Sequence, residues 1–240
     1  QRMKTINRLF ATIVLIVGTN IVASAQNGLS IHAGNSFPIG AFSQGKAVGD
    51  IALNNSNSSY GGAAFGFNAG AKFQLSILSD LSAFVSADFF YNGLKKELKE
   101  GFYDDSKSLP SYMNMPVMAG VNYTLFEILG TTFWAEAGIG INFRNITNNV
   151  SLNFDANTIG VSTKDAYDLT CSLACKAGIG ATLASKLSLG LHYYGFGTSN
   201  ISGETTSTLN VGSLTSEMKD SFTGGKLKAA MIVMRLGYHF

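Results

Sequence analysis

The sequence predicts an all-β fold, an eight-stranded antiparallel transmembrane β-barrel preceded by a signal peptide. Only 13% of the 240 residues are charged, about half the share found in an ordinary soluble domain. Eight segments alternate apolar and polar residues with a period of two, which indicates strands with two different faces. The connections between these segments alternate between short turns and long polar stretches, as they do in outer-membrane barrels.

Residues 1–25 have the composition of a signal peptide. Lys4 and Arg8 form a positive start, a mostly apolar stretch runs from Leu9 to Val22, and small residues follow up to Ala25. We expect cleavage near Ala25, export, and a mature barrel domain that comprises residues 26–240. An uncleaved anchor is less favoured, because the apolar run is shorter than the roughly 20 residues of a spanning helix.

Most of the eight predicted strands reach the roughly 9–11 residues that a tilted strand needs to cross a bilayer. The last strand is the clearest, because alternate residues from Ala230 to Phe240 are apolar while Arg235 and His239 lie on the other face. The predicted strands cover residues 28–38, 62–78, 81–93, 112–125, 131–145, 166–184, 186–198 and 227–240.

The polar face of the strands is predicted to line the lumen. It is rich in Gly, Ser and Asn and carries few charges, whereas a water-facing exterior would be dense in Lys and Glu. Small residues with a few large ones suit a narrow barrel interior. Aromatic residues near the strand ends, such as Phe65, Tyr123, Tyr167 and Tyr238, predict two girdles at the membrane interfaces. The apolar face is therefore expected to contact outer-membrane lipid.

The four long connections cover residues 39–61, 94–111, 146–165 and 199–226. Their alternation with short turns predicts that the termini and turns are periplasmic and that the long loops are extracellular. Polar loops on a rigid scaffold suit recognition of an extracellular protein or glycan. The small net charge of +2 gives no indication of nucleic-acid binding.

Charged residues of the polar face predict an ionic network in the lumen. Its members are Lys72, Asp88, Glu136, Arg144, Asp168, Lys176 and Arg235, packed with Phe84, Trp134 and Tyr194. One antiparallel register, in which paired residue numbers sum to 312, would set Arg144 opposite Asp168 and Glu136 opposite Lys176. Such pairs would close the lumen, because an unpaired buried charge costs several kcal/mol.

Further lumen contacts are expected between neighbouring strands. Lys72 and Asp88 should meet directly or diagonally, and His32, His192 and His239 share the polar face of the first, seventh and eighth strands. No acidic or thiol ligand lies at a recognisable spacing on those three strands, so we expect hydrogen bonding rather than a metal site. No cofactor is expected.

Two further features bear on local structure. Cys171 and Cys175 are expected to be free thiols against lipid, because four residues of strand span about 13 Å, beyond the reach of a disulfide. Pro116 lies within a predicted strand and has no backbone N–H to donate to a neighbouring strand, which indicates a bulge.

Residues 112–118, Tyr-Met-Asn-Met-Pro-Val-Met, look like an aliphatic-Ile-Pro-aliphatic motif. This motif lies on the fourth strand of the outer membrane protein beta-barrel domain family of Bacteroidetes, which the chain resembles. Residues 189–201 are similar to its seventh strand, which ends in a Gly-Leu-x-Asn-Ile-like turn, and Gly34, Asn35 and Phe240 also fit. The resemblance implies the barrel fold and an outer-membrane location, and it implies no catalytic residues.

The sequence thus predicts a small non-enzymatic barrel with a structural or surface-interaction role through its four long loops. The alternative is a transport protein or narrow channel for small solutes or ions. Strand number favours the first, since eight strands enclose a lumen that side chains fill. An enzyme would need a Ser, His and acid cluster near the outer rim, and the three histidines are expected to lie away from that rim.

Overall fold

The computed structural model describes residues 27–44, 59–96, 110–147, 151–156, 159–211 and 214–240. The predicted signal peptide lies outside these ranges. In them, no helix is long and apolar enough to cross a membrane. The elements are β1 Asn27–Pro38, α1 Ala41–Gln44, β2 Ser59–Tyr60, β3 Ala63–Ser76, β4 Leu81–Leu94, β5 Ser111–Ile128, β6 Thr131–Thr147, β7 Ser151–Ala156, β8 Ile159–Tyr167, β9 Thr170–Leu183, β10 Leu187–Val211 and β11 Leu214–His239.

Eight of the strands close into a ring. Their order is β11-β1-β3-β4-β5-β6-β9-β10, and β10 pairs with β11 to complete the circle. All eight junctions are antiparallel. Closure gives each strand a partner on both sides, which removes the exposed edges of an open sheet. The prediction of an eight-stranded antiparallel barrel is confirmed.

Large apolar side chains cover the outside of this ring. Leu173 is 81% exposed and Ile139 74% exposed, and many further aliphatic and aromatic residues of the same faces are exposed. Soluble monomers rarely expose a contiguous apolar surface of this extent, whereas a lipid-facing barrel requires one. Polar side chains of the same strands are buried inside. The fold is therefore a transmembrane β-barrel with a polar interior.

Aromatic pairs lie near both ends of the apolar exterior. The rings of Phe37 and Phe65 are 5.2 Å apart at the end that carries the long connections. The rings of Tyr238 and Phe240 are 5.1 Å apart at the other end. Both positions suit the interfacial girdles of a membrane barrel. Tyr167, which was predicted to belong to a girdle, instead packs above the barrel against Phe222.

Tight turns join the strands at one end of the barrel. The turn between β5 and β6 has positive φ angles at Leu129 and Gly130, of 51° and 72°. Type I′ hairpin turns have φ above zero at both central residues, and this geometry matches the twist of the strands. Ala184 and Ser185 adopt the same left-handed region between β9 and β10. The short turns predicted at this end are thus present.

Three segments predicted as loops contain strands: residues 39–61 contain the short β2, and residues 146–165 and 199–226 contain longer ones, which corrects the prediction. β10 and β11 stay paired beyond the barrel up to Val211 opposite Leu214. β8 adds to β10, and β7 adds to β8. These four strands form an antiparallel sheet above the barrel, termed the projecting sheet. It comprises β7, β8, residues 199–211 of β10 and residues 214–226 of β11.

The described parts of the other long connections fold over the mouth of the barrel. α1 contributes Phe42, which is fully buried. β2 runs parallel to β11 and pairs with it at Lys226 and Leu227. Tyr60 of β2 is buried as well. This end of the lumen is therefore covered by side chains.

Pro116 does not form the bulge that the sequence predicted. β4 and β5 keep one register on both sides of Pro116, and the ladder is interrupted only between Asn114 and Val117. On its other side Pro116 stays opposite Asn142 of β6. Pro116 has no backbone N–H to donate, and the β4–β5 hydrogen-bond ladder has a gap there. No extra residue is inserted in either strand.

The topology predicts which end of the barrel faces outwards. An epitope tag inserted between Val211 and Leu214, at the tip of the projecting sheet, should bind antibody on intact cells. A matched tag at Ser79, in the short turn between β3 and β4, should bind only after the outer membrane is opened. The reverse pattern of labelling would contradict the orientation.

Candidate functional site in the barrel lumen

Ionic side chains from seven of the eight barrel strands meet inside the lumen. Each residue is at most 8% exposed. Together they are termed the central ion cluster, which consists of His32 of β1, Lys72 of β3, Asp88 of β4, Glu136 of β6, Lys176 of β9, His192 of β10 and Arg235 of β11.

Glu136 is the most heavily contacted member of the cluster. Its Oε1 lies 3.0 Å from Nζ of Lys176 and 2.9 Å from Nη2 of Arg235. Nε2 of His192 is 3.0 Å from the same oxygen, and Nζ of Lys72 donates to Oε2 at 3.1 Å. One carboxylate thus neutralises cations from three other strands. Loss of this carboxylate would leave three buried cations with Asp88 as the remaining anion of the cluster.

Asp88 is the second anion of the cluster. Its Oδ1 contacts Nε2 of His32 and lies 3.3 Å from Nη1 of Arg235. Its Oδ2 accepts hydrogen bonds from Oη of Tyr194 at 3.2 Å and from Oγ of Ser86 at 3.3 Å. Arg235 therefore bridges the two carboxylates, a task that suits the fixed fork of a guanidinium group.

Aromatic rings surround the buried ammonium groups. Nζ of Lys176 lies 4.1 Å from the centre of the Phe84 ring. Nζ of Lys72 lies 5.4 Å from the centre of the Trp134 ring. These distances are typical of cation–π contacts, which strengthen when the cation is removed from water. Each lysine is thus held by a carboxylate and by a ring.

Glycines of the polar face make room for the large lumen side chains. A Cβ atom on Gly178 would overlap the imidazole ring of His192, and one on Gly180 would overlap the indole of Trp134. The glycine-rich inner face predicted from the sequence is therefore a packing requirement of the cluster. Alanine at these positions would force the rings to move.

The register predicted between β6 and β9 is wrong by two residues. Glu136 lies opposite Gly178, and Lys176 lies opposite Gly138. Because the error is an even number, both residues keep the inward face that the alternation predicted. Lys176 still reaches Glu136, now as a diagonal neighbour across the two strands.

The predicted pair of Arg144 and Asp168 does not form. Asp168 is exposed between β8 and β9, where it accepts a hydrogen bond from Oγ of Ser202 at 3.1 Å. Arg144 is buried in the lumen and donates only to neutral acceptors among the described residues. These acceptors are Oδ1 of Asn114 at 2.9 Å, Oγ of Ser199 at 2.6 Å, and the carbonyl oxygens of Leu227 at 2.9 Å and Phe196 at 3.3 Å.

Lys72 and Asp88 are diagonal neighbours, because Lys72 lies opposite Ser86 and Asp88 lies opposite Gly70. Their charges nevertheless pair with other partners. Lys72 binds Glu136 across the lumen, and Asp88 binds Arg235 and His32. The ion pairs thus connect opposite walls of the barrel rather than adjacent strands alone.

The three predicted lumen histidines have different surroundings. His32 and His192 belong to the central ion cluster, whereas His239 lines a polar cavity of about 200 Å³ at the short-turn end. A second cavity, of about 20 Å³, lies between this polar cavity and the central ion cluster. It has room for roughly one water molecule. In the described ranges, no group of three or more His, Cys, Asp or Glu residues could hold a metal ion.

An aromatic layer covers the cluster towards the long-loop end. The ring of Phe90 lies 4.9 Å from that of Tyr194 and 5.4 Å from that of Phe196. Above them Phe42 packs against Tyr112 at 5.2 Å. Ions below and rings above fill the lumen between its two ends. This arrangement leaves no continuous open path through the described part of the lumen and stabilises a closed barrel.

The comparisons with known proteins give a distant similarity of shape. No family model matches the chain, and no curated protein matches it. The attachment invasion locus protein Ail of Yersinia pestis is 15% identical, with a TM-score of 0.41, over 89% of this chain and 97% of that one. The outer membrane protein OprG from Pseudomonas aeruginosa is 12% identical, with a TM-score of 0.44, over 89% and 96%.

A major outer membrane protein from Thermus thermophilus is 14% identical, with a TM-score of 0.43, over 89% of this chain and 99% of that one. Similarity of this degree carries no argument about role. The resemblance of residues 112–118 and 189–201 to the Bacteroidetes family stays a prediction.

Removal of the Glu136 charge should strongly destabilise the barrel. We expect Glu136→Gln to lower the free energy of unfolding by about 3–5 kcal/mol, because it leaves buried cations uncompensated. Asp168→Asn is the matched control, and because Asp168 is exposed its effect should stay within about 0.5 kcal/mol. Urea unfolding of the refolded barrel in lipid vesicles measures both. Equal effects would contradict the central role of Glu136.

Arg144 should fix the base of the projecting sheet. It binds Ser199 of β10 and Leu227 of β11, where both strands leave the barrel. We expect Arg144→Met to increase hydrogen exchange of the amides at residues 198–203 and 223–228. Exchange in β1 and β3 should stay unchanged. A uniform increase over the barrel, or none, would contradict this role.

Proposed function

We propose that the chain is a non-enzymatic outer-membrane protein whose filled barrel anchors the projecting sheet for recognition of a partner outside the cell. The observation that carries this proposal is an apolar patch on one face of that sheet, far from the membrane. The apolar exterior of the barrel and the alternation of short turns with long connections support an outer-membrane location. Cleavage near Ala25 belongs to the same proposal.

Four aliphatic side chains gather at the tip of the β10–β11 hairpin. The register sets Val211 opposite Leu214, Leu209 opposite Ser216, and Met218 opposite Ser207. Alternate residues of a strand share a face, so the four side chains lie on one side of the sheet. Leu214 is 75% exposed and Met218 69% exposed. The set of Leu209, Val211, Leu214 and Met218 is termed the tip patch.

The chemistry of the tip patch favours a protein partner. Burial of each aliphatic side chain would contribute about 1.5–3 kcal/mol, and a flexible methionine adapts to the shape of a partner. The rest of the sheet is rich in Ser and Thr and also carries charged residues, for example Lys219 and Glu217 in an exposed ion pair at 3.4 Å. A glycan, which presents mainly hydroxyl groups, would be expected to bind those polar residues instead.

Transport is the less favoured function, because the central ion cluster and the aromatic layer occupy the lumen. Channels usually have more strands and a wider interior. A solute would have to break the contacts of Glu136 and Asp88 with Arg235 to pass. A stable anchor for the projecting sheet needs no such path.

The recognition role predicts a binding defect that is specific to one face. The purified protein in lipid nanodiscs is tested on arrays of extracellular proteins and glycans. Leu214→Asp combined with Met218→Asp should weaken binding of a protein ligand more than tenfold, since the loss of about 1.4 kcal/mol already corresponds to a factor of ten.

Thr215→Asp combined with Ser221→Asp is the matched control. It adds the same two charges on the opposite face of β11 and should leave binding unchanged. Equal loss in both variants, or binding only of glycans that neither variant affects, would contradict recognition through the tip patch.

A further inference from the structure

A groove of about 650 Å³ lies on the outside of the barrel. It crosses β6, β9, β10 and β11. Ile139 and Leu173 form one side and Tyr193 the other, and all three side chains are exposed. The groove thus lies within the lipid-facing surface, where the environment consists of acyl chains.

A break in strand pairing creates this groove. β9 and β10 pair only up to Cys175 opposite Gly195, and β10 next pairs with β8 from Gly203. Between these points Oγ of Ser172 donates to the carbonyl oxygen of Phe196 at 2.6 Å. β10 also changes register against β11 here. The wall of the barrel is therefore indented where the two strands separate.

Small residues form the floor of the groove. Gly195, Gly197 and Ala230 line it together with the thiol of Cys175. Gly197 has a φ of 57°, a left-handed conformation that favours glycine. A Cβ atom on Gly195 would lie 3.0 Å from Sγ of Cys175. Larger side chains at these positions would fill the depression.

Basic residues lie at the outer end of the groove. Lys228 lines it and is exposed, and Lys226 is exposed two residues further along β11. Both lysines precede the last pair of β1 and β11, Pro38 opposite Met231, so they lie at the long-connection end of the barrel wall. In a membrane barrel this end meets the lipid headgroups. A lysine near the membrane surface attracts anionic headgroups.

We propose that this groove is a binding site for one membrane lipid with an anionic phosphate headgroup. One acyl chain lies along the indentation between Ile139 and Tyr193, and the phosphate pairs with Lys228 and Lys226. The proposal rests on the membrane-spanning barrel and is independent of the tip patch. This lipid should therefore remain bound longer than the lipids around the rest of the barrel exterior.

Native mass spectrometry of the full chain, released from nanodiscs, tests the site. The nanodiscs contain phosphatidylcholine mixed with phosphatidylglycerol. The wild type should retain one phosphatidylglycerol in preference to phosphatidylcholine. Lys228→Ala should lower this retention about fivefold, and Ala230→Trp, which fills the groove without a change of charge, should also lower it. Lys186→Ala is the control, because Lys186 is exposed at the short-turn end.

The two cysteines provide a second measurement. Both are free and exposed on β9, and of the two Cys175 lines the groove. In detergent, added phosphatidylglycerol should slow alkylation of Cys175 several-fold in Cys171→Ser protein, and it should not change alkylation of Cys171 in Cys175→Ser protein.

The proposal requires both results. Equal retention by the wild type and Lys228→Ala would show annular lipid only and would overturn it. Equal slowing of both thiols, or no slowing of Cys175, would overturn it as well.

Discussion

The structure depends on the neutralisation of buried charge in a space that is only wide enough for side chains. Eight strands enclose a lumen with no room for bulk water, and removing an ion from water costs several kcal/mol unless it is paired. Glu136 forms ion pairs with Lys72, Lys176 and Arg235 and so compensates the charge of all three buried cations. The glycines opposite the large rings and the aromatic walls around the ammonium groups follow from the same lack of space.

The filled interior supports the projecting sheet, because β10 and β11 continue from the barrel into that sheet as paired strands. Arg144 connects β6 to the carbonyl oxygens of Phe196 and Leu227 at the level where β10 and β11 leave the ring. The shift of register in β10 at this level frees backbone groups, and the guanidinium and Ser172 satisfy the carbonyl of Phe196. The same departure from regular pairing indents the outer wall. The base of the projecting sheet and the groove thus share one structural cause.

Alternation in the sequence was sufficient to predict the eight strands, their faces and the short turns, because a lipid-facing strand needs apolar residues at every second position. It could not fix the register of β6 against β9, since a shift of two residues preserves the faces. A prediction that considers only directly opposed residues of adjacent strands also misses contacts across the lumen, such as that of Lys72 with Glu136. Ser86 donates to Asp88 and Asn114 accepts from Arg144, and no motif in the sequence indicates these contacts. The strands of the projecting sheet were missed because Ser and Thr dominate their segments, and the apolar residues among them are too few to form a continuous apolar face.

The central claim is that side chains close the lumen. Reconstitution of the purified wild type in planar bilayers, beside a large porin as positive control, tests it most directly. The closed lumen predicts no steady porin-like conductance at any applied potential that the bilayer withstands, even when insertion is confirmed by resistance of the barrel to protease. Steady openings of large conductance in the wild type would contradict it.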